Sequence, residues 1–146
     1  MLIIDCVVKD AIKVYQTYAT VFETRLIESS KNLPNLSFNE VIFEIEDMQF
    51  HLFDANPQMG WQVPDPNAVQ SMWFNIVVND AHALFERAIS AGFEVVVPLM
   101  KDEELGIWNS VVKDPFNYSW VIEQNIHEVD FSTRRQILNK RIQKLK

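Results

Sequence analysis

Apolar and polar residues follow one pattern twice along this chain of 146 residues. A shift of seventy positions places residues 7–11 (VVKDA) on residues 77–81 (VVNDA), and Tyr15 on Phe85. Each copy begins with a short apolar run typical of a strand, residues 2–8 and 72–78. An aspartate suited to capping a helix follows each run, Asp10 and Asp80. The chain therefore contains an internal repeat.

Both capping aspartates precede apolar residues at helical spacing, which predicts one helix in each copy. Gly92 is suited to end the second helix, whereas Glu23 occupies the matching position in the first. Three further strands are predicted after each helix, at residues 24–30, 39–46 and 49–53 and at residues 94–98, 107–113 and 119–124. The predicted fold class is α+β, with two βαβββ modules that form a curved mixed sheet around a cavity.

The modules are predicted at about residues 1–54 and 71–125, within one domain that spans residues 1–131. Residues 55–70 separate them and read as a linker, because they contain Pro57, Gly60, Pro64 and Pro66 and show no periodicity. Residues 132–146 predict a basic C-terminal helix with Ser132 as its N-cap. Its narrow apolar stripe, opposite the basic residues, needs a surface to pack on; the stripe consists of Ile137, Leu138, Ile142 and Leu145.

Charge and composition narrow the function classes. The net charge is −7, but the last fifteen residues hold six basic residues and no acid, which leaves seven basic and twenty acidic residues, or −13, in the rest of the chain. An acidic body disfavours nucleic-acid binding. No apolar run is long enough for a membrane span. A single cysteine, Cys6, fits a reducing compartment. Together, these three observations lead us to expect a soluble cytoplasmic protein with no nucleic-acid or membrane partner.

The order and spacing of several segments resemble the vicinal-oxygen-chelate superfamily, which includes glyoxalase I, bleomycin-resistance proteins and extradiol dioxygenases. The resemblance spans residues 2–125 and is nearest to the PhnB-like branch. It rests on residues 8–11 (VKDA), 50–57 (FHLFDANP), 88–92 (AISAG) and 114–120 (DPFNYSW). Glu23 and Asn117 stand where the family has glycines, which indicates a diverged member.

The resemblance implies four metal-ligand positions, and only one of them holds a residue that can bind a metal. The first-strand positions fall on Ile3 or Ile4 and on Trp73 or Phe74, and the last-strand positions fall on His51 and Val121. Because a stable divalent site needs about three protein ligands, we expect no metal site of the usual family type and no cofactor.

The candidate site residues lie on the predicted strands. Strand alternation places His51 toward the family's cavity; the alternative, which is favoured, is a core or rim histidine that is hydrogen-bonded to a neighbour. Glu123 is a candidate general base, a displaced ligand or a solvated strand end. Asp5 and Asn75 are polar positions within apolar strands, and each needs a hydrogen-bond partner. Aromatic side chains suit an apolar ligand pocket as well as a core; with Trp73 and Trp108 added, the predicted ligand-binding set is Asp5, His51, Trp73, Asn75, Trp108 and Glu123.

Three functions fit these residues. The first is a metal-free protein that binds or sequesters a small molecule, of the glyoxalase and bleomycin-resistance type. The second is an unassigned lyase, isomerase or transferase that uses His51 or Glu123, so catalysis is an open question. The third is a structural or interaction module. Exposed sheet edges and the basic tail together predict a homodimer.

Overall fold

The computed structural model describes all residues, 1–146. Its elements in chain order are β1 (Ile3–Val8), α1 (Ala11–Val21), β2 (Thr24–Ser29), β3 (Glu40–Ile45), β4 (Met48–Asp54), a 3₁₀ turn (Pro57–Met59), β5 (Phe74–Val77), α2 (Ala81–Ser90), β6 (Glu94–Asp102), β7 (Ile107–Lys113), β8 (Ser119–Asn125) and α3 (Phe131–Gln143). The predicted α+β class and both βαβββ modules are confirmed. None of the helices is long and apolar enough to cross a bilayer.

Each module forms its own four-stranded sheet, in the order β1-β4-β3-β2 and β5-β8-β7-β6. In both sheets the first strand pairs in parallel with the last strand, and the other pairs are antiparallel. β6 runs four residues beyond the predicted end at Pro98. Proline is tolerated there because β6 is an edge strand and its register with β7 shifts between Val97 and Met100.

The two crossover helices start in the same way. Asp10 and Asp80 cap them, each accepting the backbone N–H three residues ahead. The first backbone N–H of each helix donates to a side chain at the end of its module, Asp54 for α1 and Gln124 for α2. Gly92 follows α2 with φ +92, as expected for a C-terminal glycine, whereas α1 ends because Phe22 turns to extended backbone.

One hydrophobic core joins the modules. Trp120 of β8 is 2% exposed and packs against Tyr18 of α1 and against Phe22, which follows that helix, with ring centroids 5.5 and 4.4 Å away. Trp120 therefore packs on the helix of the other module. Arg87 of α2 adds a polar link, because its Nε donates to the Val21 carbonyl at 2.8 Å. Each helix therefore covers one face of its own sheet and also contacts the other module.

The C-terminal helix docks on its own domain. Arg141 donates two hydrogen bonds to Asp102, at 2.6 and 3.0 Å, and one to Glu104 at 2.6 Å. The prediction of Ser132 as the N-cap is wrong: the helix begins at Phe131, and Asp130 accepts the Thr133 N–H at 2.9 Å. No residue of α3 is buried, so most of its apolar stripe stays accessible.

Candidate functional site on the open sheet faces

Strand alternation gives each sheet one face under a helix and one open face. In β4, Phe50 and Leu52 are buried beneath α1, and His51 and Phe53 point to the other side. Asp5 of β1 and Ile42 of β3 are the cross-strand partners of His51. His51 therefore lies near the middle of the open face of the first sheet.

His51 is flanked by two carboxylates. Its Nε2 lies 2.9 Å from Glu40 Oε2, and its Nδ1 lies 3.5 Å from Asp5 Oδ1. The imidazole is a quarter exposed, whereas the two acids are about half exposed or more. A neutral imidazole has one N–H and donates to one carboxylate, while the imidazolium pairs with both. The arrangement can thus offer hydrogen-bonding groups to a ligand.

An aromatic wall adjoins this polar group. The His51 and Phe53 rings have centroids 5.3 Å apart, and Trp61, from the segment between the modules, packs edge-on to Phe53 at 5.0 Å. The Phe38 and Trp61 rings are also arranged edge-on, with centroids 6.3 Å apart. The carboxylates and the imidazole are therefore bordered by apolar ring surface, a combination typical of small-molecule sites.

The second sheet carries a different polar group on its open face. Asn75 Nδ2 lies 3.5 Å from Glu123 Oε2, and Asn109 is the cross-strand partner of Glu123. The position that matches His51 is Val121, which pairs with Asn75. Trp73 is more than half exposed and borders a groove of about 440 Å³ with Phe50 and Asn75.

The structure brings the predicted residues together in two pairs rather than in one cluster. Asp5 and His51 are neighbours on the first sheet, and Asn75 and Glu123 are neighbours on the second. Trp108 lies on neither open face: it points to the helix-covered side of the second sheet, where its ring packs against His82 of α2 at 4.5 Å. The cause is its register, since Trp108 is two positions from buried Ser110 on the same strand.

Sequence reasoning missed Glu40, the side chain nearest to His51. A signal was present, because the two residues Glu46 and Asp47 connect β3 to β4 and this short turn fixes the register. With Ile45 opposite Met48, Ile42 falls opposite His51 and Glu40 falls on the same face two residues away. A hairpin register drawn from the turn would have placed Glu40 beside the imidazole.

The side chains present do not fit the divalent metal that the superfamily resemblance implies. His51 is the one ligating residue among the four matching positions, and no group of three His, Cys, Asp or Glu side chains is arranged to hold an ion. Glu40 and Asp5 approach opposite nitrogens of the imidazole instead of converging on one point. No chemical step is therefore derived through a metal.

A second polar cluster is buried at the joint between the modules, where α1 of the first module packs against β8 of the second. Asp114 is 3% exposed and accepts from Tyr18 Oη at 2.5 Å and from Trp120 Nε1 at 3.0 Å. The backbone N–H groups of Phe116 and Tyr118 donate to its other oxygen, both at 2.9 Å. Burial raises the pKa of this carboxyl, although the four donors oppose the shift. All of its acceptor positions are occupied from within the protein, so the cluster is structural.

Cys6 lies beside this joint and is not a nucleophile. Burial, with the nearby Asp114 charge as the second cause, raises the pKa of its thiol to about 12. Since the thiolate is the reactive form, the thiol is inert at neutral pH. The adjacent Tyr118 hydroxyl donates to the Val7 carbonyl at 2.8 Å and ties β1 to the second module.

Comparisons with known sequences find uncharacterised relatives that match part of the chain. No family model matches the sequence. An uncharacterised protein of Mycobacterium tuberculosis H37Rv, Rv0887c, is 35% identical over 82 residues, which are 54% of this chain and 48% of that protein. The uncharacterised protein Mb0911c of Mycobacterium bovis matches at the same identity over 53% of its length. The match thus spans about half the length of these relatives.

Solved structures agree over nearly the whole chain. The fosfomycin resistance protein FosX from Mesorhizobium loti superposes with a TM-score of 0.66 at 14% identity, covering 93% of this chain and 96% of that one. FosX from Listeria monocytogenes, complexed with Mn(II) and dihydroxypropylphosphonic acid, gives 0.66 at 17% identity over 92% and 95%. TioX from Micromonospora sp. ML1 gives 0.61 at 16% over 85% and 97%. The chain has the vicinal-oxygen-chelate fold of these proteins.

Proposed function

We propose that this protein binds or sequesters a small molecule on its open sheet faces, as a diverged, PhnB-like member of the glyoxalase and bleomycin-resistance group that acts in the cytoplasm without a bound metal. The observation that carries the proposal is His51, held between Asp5 and Glu40 beside the aromatic wall. Polar groups that converge next to apolar surface are the usual makeup of a ligand site.

The charges favour a ligand without a strongly anionic group. Three acids, Asp5, Glu40 and Glu123, lie on the open faces, and Arg25, a basic side chain of the first sheet, is bound to Glu44 at 2.6 and 3.0 Å. Beside His51, a phosphonate such as the ligand named for the Listeria FosX would meet the Asp5 and Glu40 carboxylates without a free cation to bind it. We expect amines or neutral hydrogen-bonding ligands to bind more tightly than phosphonates.

The experiment is a thermal-shift screen of small aromatic amines, neutral aromatics and phosphonates, run with and without Mn(II), because a ligand of the native state raises the melting temperature by mass action. A hit is then titrated against the variant His51→Ala and the control variant His82→Ala, whose ring lies on the helix side. Weaker binding with His51→Ala alone supports the proposal. A requirement for Mn(II), or equal binding by both variants, contradicts it.

The proposal includes a homodimer in which the second copy covers the open faces. Apolar side chains are exposed along both sheets, at Ile3 and Ile27 in the first module and at Val77 and Val97 in the second. Exposed apolar sheet surface of this kind marks an interaction site, and C2 pairing is the commonest way to cover it. Light scattering should give twice the chain mass of 17.0 kDa; a monomer at high micromolar concentration would refute this part.

One contact favours an enzyme as a second candidate. Glu40 lies 2.9 Å from His51 Nε2, and a carboxylate that orients an imidazole is the arrangement of a general base. If the protein is a lyase or isomerase, a bound ligand should be converted in an NMR time course by the wild type and remain unchanged with His51→Ala. Retention of turnover in that variant would exclude His51 as the base.

A further inference from the structure

The C-terminal segment closes one end of the open face of the second sheet. A groove of about 470 Å³ lies between them, lined on the sheet side by Ile107, Glu123 and Asn125 and on the segment side by His127 and Arg134. Its volume is in the range of small-molecule sites. Because Glu123 belongs to both, the groove continues the ligand face proposed above.

Two anchors hold this segment in place on the β6–β7 hairpin. At the near end, Gly106 accepts the N–H of Ile126 at 2.7 Å, and the His127 ring packs so closely that a Cβ on Gly106 would lie 2.7 Å from it. At the far end, Arg141 binds Asp102 and Glu104. The wall that carries Arg134 is therefore fixed on the same hairpin at two points.

Opposite charges face this groove without forming an ion pair. Glu123 has one side-chain contact, with Asn75 at 3.5 Å, and Arg134 has no carboxylate within 4 Å. Two opposite charges that line one groove without pairing with each other can both bind a single ligand that carries the complementary charges. Glu128 is a second carboxylate of this lining, and Leu105, Ile107 and Val129 are among its apolar residues.

We propose that this groove binds a small zwitterion of the α-amino acid class with an apolar side chain. The ammonium group binds Glu123, the carboxylate binds the Arg134 guanidinium, which suits planar oxyanions, and the side chain lies on the apolar lining. This inference rests on the proposed ligand face and gives the C-terminal helix a role as one wall of the site.

The test measures binding of L-leucine and L-phenylalanine by titration calorimetry on the full chain. The controls are isoamylamine and 3-phenylpropanoate, each of which lacks one of the two charged groups. We expect each amino acid to bind at least about ten-fold more tightly than its single-charge analogue, which corresponds to about 1.4 kcal/mol. Equal binding of amino acid and analogue, or no saturable binding of either amino acid at millimolar concentration, overturns the proposal.

Three variants locate the site. Arg134→Gln should remove the advantage of L-leucine over isoamylamine, which lacks the carboxylate, and Glu123→Gln should remove the advantage of L-phenylalanine over 3-phenylpropanoate, which lacks the ammonium group. Arg135→Gln should keep both advantages, because the Arg135 guanidinium lies over the Phe131 ring, 6.0 Å from its centroid. An equal loss with Arg135→Gln indicates non-specific charge and overturns the assignment. His51→Ala separates the two proposals: amino-acid binding that depends on Arg134 but not on His51 supports the groove, whereas binding that is lost with His51→Ala and kept with Arg134→Gln contradicts the groove and leaves the site at His51 supported.

Discussion

The two modules share a backbone plan but place their polar residues differently. In both modules an aspartate caps the helix, and a side chain at the end of the last strand accepts the first N–H of that helix. On the helix-covered side, Ile45 of the first module is apolar, and its structural counterpart in the second is the buried Asp114. On the open side, His51 is matched by Val121. One module carries the imidazole of the site, and the other carries the polar joint.

This division indicates that the repeat preserves what the backbone needs and leaves the faces free to diverge. The caps recur because both helices must satisfy their first N–H groups. A side chain that faces the joint or a ligand has no such local requirement. Its identity depends on partners far along the chain, as with Tyr18 and Asp114, which are 96 residues apart.

The largest effect is expected from Asp114→Ala, which removes the polar joint. Two buried donors, Tyr18 Oη and Trp120 Nε1, would lose their acceptor, at about 1–3 kcal/mol each. We expect a loss of about 3 kcal/mol or more in the free energy of unfolding, measured by urea denaturation. The control Glu44→Ala breaks an exposed ion pair with Arg25 and should cost at most about 1 kcal/mol. Similar losses in both variants would remove the contrast between the modules.

Much of the fold is contained in local pattern. The seventy-residue repeat, the capping aspartates and the strand alternation predict both modules and the open side of His51. What local pattern does not contain is the pairing of distant elements. Asp114 lies in a turn-type sequence, and its role as an acceptor appears only when α1 packs across the joint. Trp108 was assigned to the ligand set by residue type, and its strand register places it on the other side.

An intermediate effect is expected at the hairpin that carries the C-terminal segment. Gly60 and Gly106 both have positive φ, +77 and +66, but a Cβ would meet nothing at Gly60 and would lie 2.6 Å from the His127 carbonyl oxygen at Gly106. Gly60→Ala should cost about 1 kcal/mol for its backbone conformation. Gly106→Ala should cost at least about 1 kcal/mol more, because the crowding must be relieved by displacing the segment. Equal melting temperatures for the two variants would show that the C-terminal segment moves away from Gly106 without a loss of stability.

The smallest effect is expected from Arg141→Gln, which tests whether the C-terminal helix is held by charge. The side chains of Arg141 and Asp102 are 38% and 23% exposed, so solvent screening limits the loss to about 1 kcal/mol or less. We expect this loss of stability to appear as faster amide hydrogen exchange in α3 and the β6–β7 hairpin. Arg135→Gln is the matched control, because Arg135 makes no ion pair with a carboxylate.

The pH dependence of that variant identifies the cause. The hydrogen bonds from Arg141 lower the pKa of Asp102. A carboxyl whose pKa is lower in the folded state stabilises the fold above its unfolded pKa and loses that contribution as pH falls through the folded value. The exchange rates of wild type and Arg141→Gln should therefore differ at neutral pH and converge in acid. If the difference persists at a pH where Asp102 is protonated, the helix is held by packing of Ile137 and Leu138, which are half-buried, and not by the ion pair with Asp102.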